Sequence, residues 1–279
     1  MNGIIKHVME KNMRQSYPNL DPAWRLLPAP PPSHATPIIN DKFIDLLARG
    51  AATNKPGIEK ISDTGVVIFT DGTEVADVDA IICCTGYRVD YDNLDPEIDP
   101  TNGSTPEYDA APFGSSVRPY TRLYQGIFSP KYPESLAFIG PYLIVMAFTG
   151  ADVASQAIGQ IFSGGYPLPP RTEIERWCDA HYAWSVKQAY IGRTPLGIVK
   201  KGEVEGWLDK VCGNGLDKKL GWGLEGWKFW WQEKELRNLL MTGVDTGFAY
   251  RLFDGRRTKW EGARDAIYRA NGRSWTGKD

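Results

Sequence analysis

The stretch DVDAIICCTGYRVDY, residues 77–91, decides the fold. Its centre, AIICC at 80–84, is continuously apolar rather than alternating. That pattern predicts a strand buried on both faces, as in a parallel sheet covered by helices. The run stops at Thr85-Gly86-Tyr87. In open α/β sheets ligands sit just beyond the carboxyl ends of strands. A small Thr-Gly pair there lets a ligand approach the backbone closely. A buried strand turning a tight corner explains the same residues equally well.

Upstream, VVIFT (66–70) and TEVA (73–76) flank Asp71-Gly72, and GIEKI (57–61) precedes them. Asp-Gly between strand-like runs predicts a two-residue hairpin, so a small β region leads into the stretch. Earlier still, residues 1–14 have a helical apolar face of Ile4, Ile5, Val8 and Met9. The passage PAPPPSHATP (28–37) excludes regular helix or central strand. A short helix with Phe43, Leu46 and Leu47 on one face follows. Asn40 or Asp41 is placed to cap it, and Gly50 to stop it.

Downstream, residues 92–120 are rich in Pro, Gly, Asp, Asn and Ser and read as an irregular connection. SLAFIG (135–140) predicts a second short buried strand. Thr149 or Asp152 is placed to cap a helix carrying Val153, Ile158, Ile161 and Phe162, which Gly164-Gly165 ends. Beyond residue 170 the pattern is helical. Thr172 to Glu175 reads as a capping box, followed by Ile174, Trp177, Cys178 and His181 at helical spacing. Val204, Trp207, Leu208 and Val211 repeat the spacing, as do Leu236, Leu239 and Leu240, and then Ala263 and Ile267. Three domains follow from this pass: 1–91, 92–170 and a helical, Trp-rich 171–279.

Apolar residues make up 42% of the 279 and charged residues 24%, with a net charge of −2. A core of ordinary size is available, and no basic field recruits nucleic acid. The pair Arg256-Arg257 reads as solvated surface. The longest apolar run, near Leu143 to Phe148, is far short of the roughly 18–20 residues of a membrane span. The first residues have no signal-peptide core, so a cytoplasmic location is expected. Four cysteines without a CxxC pair, and three scattered histidines, give no metal-ligand spacing. GWGLEGWKFWW (221–231) reads as aromatic packing of a helical tail, the alternative being a binding surface. Asp90 with Asp92 flanks a turn, and Glu173 with Glu175 lies in the capping segment. No catalytic residue is assigned from these.

Residues 77–91, with VVIFTDGTEV before them, resemble the D-x-[IV]-[IV]-x-A-T-G-[YF] segment of flavin-containing monooxygenases and their Baeyer–Villiger and N-hydroxylating relatives. PSHATPIINDKFIDLLARGAATNKPGIEKI resembles the family passage before the hairpin. LYQGIFSPKYPESLAFIGPYLIVMAFTGADVASQAIGQIFSGGYPLP resembles the passage after it. YRLFDGRRTKWEGARDAI is similar to the C-terminal end of fungal members. The resemblance implies an α/β fold of two dinucleotide-binding, Rossmann-like domains, here incomplete, with a helical C-terminal region. It implies an oxidoreductase that takes a hydride from NADPH onto FAD and transfers oxygen from a flavin hydroperoxide to a small organic substrate. Carried over, Thr85 and Gly86 lie beside the FAD, and Gly140 ends the last FAD-domain strand. Phe148, Thr149 and Gly150 form the loop near the flavin ring, and Gln156 is the helix glutamine. That helix's N-terminus would face the ring, where its dipole favours negative charge. Cys84 replaces the family's alanine and is expected to be buried.

No G-x-G-x-x-G turn follows a strand-like run: the match to the spacing at Gly221 to Gly226 (GWGLEG) lies in the Trp-rich tail, and the F-x-G-x-x-x-H signature of the family is missing. Gly213-Asn214-Gly215 has Lys218 at the third glycine position and follows a helical segment. The chain therefore resembles the C-terminal half of such an enzyme, beginning inside the NADPH domain. Alone it is expected to bind FAD weakly or not at all. It would be completed by another chain or a homo-oligomer, or serve as a non-catalytic interaction protein.

Overall fold

The computed structural model describes residues 2–29, 40, 42–84, 90–111, 119–140, 147–191, 200–275 and 277. The chain forms two compact units, Met1–Arg88 with Gly192–Pro195, and Val89–Ile191 with Leu196–Asp279.

The first unit begins with helix α1 (Asn2–Ser16). A 3-10 turn, Pro22–Trp24, follows, whose cap Asp21 accepts the Ala23 N–H. Helix α2 (Phe43–Ala48) buries Leu47 but leaves Phe43 exposed. Asn40 lies just before α2, and its side chain accepts the Lys42 N–H at 2.8 Å. Gly50 stops the helix with φ +72°, as the sequence predicts.

Strands β1 (Ile58–Ile61), β2 (Val67–Phe69) and β3 (Glu74–Val75) form an antiparallel sheet in the order β1-β2-β3. The hairpin at Asp71-Gly72 is present but has three loop residues, not two. Phe69 pairs with Thr73, and its carbonyl also accepts the Gly72 N–H at 2.8 Å. Only Gly72 adopts positive φ (+78°), so the turn needs one glycine where the two-residue form needs two left-handed residues. The first hairpin repeats this geometry around Gly65.

The apolar run at 80–84 departs from the reading of its sequence. It is in no strand, and Ile81, Ile82, Cys83 and Cys84 are exposed. A run apolar on both faces is held as a strand only by ladder neighbours and covering layers. The three-stranded sheet ends at β3 and supplies neither among the described residues. Cys84 is therefore not buried as expected. Ile58, Ile61, Val75 and Val78 are also exposed in this unit.

The second unit is mainly helical. A turn-rich segment carries the short helix α3 (Pro106–Asp109), capped by Thr105. Residues 124–138 form isolated bridges rather than the expected strand. Phe128 bridges Tyr124 and Ala137, with Phe138 N to Ile127 O at 2.8 Å. These few residues put Ile127 and Phe128 at full burial.

Helices α4 (Ala147–Phe162), α5 (Arg171–Ile191) and α6 (Lys201–Cys212) enclose them. Val153, Ala154, Ala157 and Ile161 of α4 meet Ile174 and Cys178 of α5 and Val204, Leu208 and Val211 of α6. The predicted faces of α5 and α6 are the buried ones. Phe162 is exposed. The caps differ from the reading. Helix α4 begins before Thr149, which is inside it. Helix α5 begins at Arg171, and the Pro170 carbonyl accepts the Glu173 and Ile174 N–H groups. Glu175 turns instead to Arg122 at 2.7 Å, because a guanidinium offers a charged partner and the N-terminal N–H groups do not.

A second core joins Phe229 of α8 (Leu224–Gln232) and Leu236 and Leu239 of α9 (Lys234–Thr242). It also takes in Leu252 and, from α10 (Ala263–Ala270), Ala263, Ile267 and Tyr268. Helix α7 (Leu216–Leu220) packs on α8. A Cβ on Gly226 would lie 1.8 Å from the Gly221 carbonyl oxygen, so the α7–α8 crossing requires glycine there.

Candidate functional site

The residues carried over for a cofactor do not all lie in the described structure. Thr85 and Gly86 are outside it, and Phe148 lies in α4 with its side chain outside it. Gly140 has φ +107° and open space where a Cβ would stand, so its backbone is accessible from outside. Thr149 and Gly150 are buried in the first turns of α4. Gln156 follows about two turns later and is half-buried. Helix α4 thus carries Thr149, Gly150 and Gln156 together.

Three residues that sequence reasoning did not assign hold this helix. The Gln156 amide donates to Asp152 Oδ2 at 3.1 Å and accepts from Arg257 Nε at 3.3 Å. Arg251 grips the Asp152 carboxylate through Nε, at 3.3 Å, and Nη2. Arg257 also donates to the carbonyls of Tyr250 and Thr258. Burial first, and then the neighbouring charge of Arg251, hold the Arg257 guanidinium below its ordinary pKa. Arg256 donates to the Gly165 carbonyl at 2.8 Å and lies over the Tyr166 ring. The pair Arg256-Arg257 is therefore not free solvated surface. Its one legible signal is the YRLFDGRRTKW segment that contains it. Close to the same cluster, the buried Cys212 thiol donates to the Val153 carbonyl, and burial pushes its pKa up to about 12. It is an inert core thiol.

Burial pushes the Asp209 carboxyl of α6 up to about 6, with Asp217 and Glu205 adding to the shift. A folded pKa above the unfolded one means that Asp209 opposes folding once ionised, above about pH 6, and does not below about pH 4. Asp209→Asn is expected to raise stability at pH 7 by about 1–2 kcal/mol, allowing for its partial exposure, and to change little at pH 4. Urea melts at the two pH values measure this.

A second polar cluster joins α5 to the segment before the bridges. His181 Nδ1 lies 3.0 Å from the Tyr120 hydroxyl, and its ring stacks on Trp177 at 4.9 Å and 9°. Its Nε2 is buried without a hydrogen-bond partner among the described residues. Burial, and then the charge of Lys200, lower its pKa to about 4. At neutral pH it is an uncharged, buried imidazole. No group of three or more metal-ligating side chains occurs among the described residues.

The flavin-binding monooxygenase-like family model matches residues 2–277. The chain belongs to that family. Over 273 residues it is 37% identical to monooxygenase aurF of Gibberella zeae, covering 97% of this chain and 50% of that protein. Over 266 residues it is 24% identical to mouse dimethylaniline monooxygenase (N-oxide-forming) 2, covering 95% of this chain and 44% of that protein. An Arabidopsis thaliana flavin-containing monooxygenase, FMO GS-OX-like 4, is 29% identical over 56% of this chain and 32% of its own length. The chain thus spans half or less of the length of these relatives. No helix of the described residues is long and apolar enough to cross a membrane.

Of the residues carried over for a flavin, Gly140 leaves its backbone open to a ligand, while Thr149 and Gly150 are buried. For the phosphate end, the G-x-G-x-x-G spacing at Gly221–Gly226 joins helix α7 to helix α8 and so is not the strand-to-helix turn that cradles a pyrophosphate.

Proposed function

We propose that this chain is the C-terminal half of an FAD- and NADPH-dependent monooxygenase acting on a small organic substrate. In this reading it supplies one flank of the flavin site and is inactive alone. The observation that carries this is the coverage: 97% of this chain aligns with only 50% of the Gibberella relative, and the G-x-G-x-x-G spacing at Gly221–Gly226 joins two helices rather than a strand and a helix. A bound flavin supplies the redox chemistry. The chain's own part is positioning: Thr149 and Gly150 set the backbone of α4, and the Asp152–Gln156–Arg257 chain fixes its orientation. Thr85 and Gly86 carry the same assignment by resemblance alone. The exposed apolar residues of the first unit, Ile58, Ile61, Ile81 and Ile82 among them, support a completing chain, since an uncovered apolar sheet invites pairing.

Purified chain is expected to be colourless and to give no saturable FAD fluorescence change up to about 100 µM, roughly 5 kcal/mol of binding. A yellow protein with one flavin per chain overturns the half-site reading. Recovery of an FAD-carrying partner chain from native extract supports it.

A further inference from the structure

We propose that the outer face of α8 docks on an anionic lipid surface, a role independent of the flavin reading. Helix α8 is apolar on two sides. Its inner side, Gly226 and Phe229, is buried against α7 and the second core. Its outer side carries Leu224, Trp227 and Trp231, at i, i+3 and i+7, which are 91%, 59% and 79% exposed. Trp222, just before the helix and 84% exposed, extends the patch and meets the Trp227 ring edge-on at 6.2 Å. The expectation that these tryptophans pack a helical tail holds for Phe229 and half-buried Trp230, not for the other three.

Charge selects the occupant. The carboxylates nearest the patch are engaged: Glu225 by Lys219 at 3.1 Å, Glu233 by Arg264 at 2.9 Å and Glu235 by Arg273 at 2.7 Å. The charge of Asp217 is felt at Asp209 of α6. Lys218 acts electrostatically on Glu225, while Lys228 and Lys234 form no ion pair among the described residues. Lys228 stands on the outer face between Leu224 and Trp231. The Lys234 ammonium lies 5.1 Å from the Trp231 ring centre. The surplus on the aromatic face is therefore cationic.

Shape selects it too. The face is the outside of a single helix, and the gap among Gly221, Trp222, Trp227 and Trp230 holds only about 10 Å³. It offers no pocket for a protein partner's anchor side chain. A second copy would bring Lys228 and Lys234 against their own equivalents across a two-fold axis. A fluid anionic surface accepts both features. Indole rings settle at the level of the headgroups, and lysine stems reach past them to lipid phosphates and carboxylates.

The test is co-sedimentation of the full chain with phosphatidylcholine vesicles, with and without about 30% phosphatidylserine, following tryptophan emission. Binding to the anionic vesicles with a blue shift is expected, weakening as salt is raised. The double variant Trp227→Ser/Trp231→Ser is expected to lower partitioning at least about tenfold. Lys228→Glu/Lys234→Glu is expected to remove the phosphatidylserine preference, a loss of at least about tenfold. All four side chains are exposed, so melting temperatures within about 2 °C of wild type show that the variants fold. Equal sedimentation with and without vesicles, or variants that partition like wild type, overturns the proposal. So does a micromolar dimer that already shields these tryptophans.

Discussion

Phe128→Ala is expected to remove about 3–5 kcal/mol of stability from the helical unit. Phe128 is fully buried, with the Phe162 ring at 6.4 Å and the Trp207 ring at 5.9 Å. Its backbone is pinned by bridges on both sides, to Tyr124 and Ala137, so the chain cannot close over the space left behind. The loss is therefore a transfer cost plus a cavity cost. Phe128→Leu keeps most of the volume and is expected to cost less than half as much. Urea unfolding followed by tryptophan emission reads both. A loss under about 1 kcal/mol for the alanine variant would mean that the first core is not organised around residues 124–128.

Acid sensitivity centred on His181 is the second large effect. Its folded pKa of about 4 lies below the unfolded 6.5, so the unfolded chain binds the proton first. Stability from this group is complete above pH 6.5 and is lost as pH falls, by about 2 kcal/mol at pH 5 and about 3 kcal/mol at pH 4. Asp209 works in the opposite direction over part of this range, because its folded pKa is raised. The two contributions partly cancel in the native protein. Comparing Asp209→Asn with Asp209→Asn/His181→Gln isolates the histidine. The first is expected to lose stability steeply between pH 6.5 and 5, and the second to lose about 2 kcal/mol less across that interval. Parallel acid limbs would show that His181 is not held neutral by burial.

The local elements were legible. Helical spacing located α5, α6, α9 and α10 and their buried faces, because a buried stripe must repeat at the period of the helix. Turn residues located β1, β2 and β3. Where the reading failed, a local pattern had two physical outcomes. Residues 80–84 carry the composition of a buried strand, but a strand is made by its neighbours. Thr172 and Glu175 have capping-box spacing, but Glu175 found a guanidinium across the unit.

The candidate site divides in the same way. Thr149, Gly150 and Gln156 are neighbours along one helix, and their grouping could be read from order in the chain. Arg257 lies 101 residues from Gln156, and Arg251 lies 99 from Asp152. No local period links them. Only the packing of residues 247–258 against α4 brings them together. The tryptophans of 221–231 are equally ambiguous in one dimension, since both faces of α8 are apolar. The close crossing at Gly226 turned Phe229 inward and left Trp227 and Trp231 outside. By itself, the sequence determined the family and the buried faces of the main helices. The tertiary structure decided which side chains hold α4 and which aromatic face remains uncovered, because both depend on contacts between segments far apart in the chain.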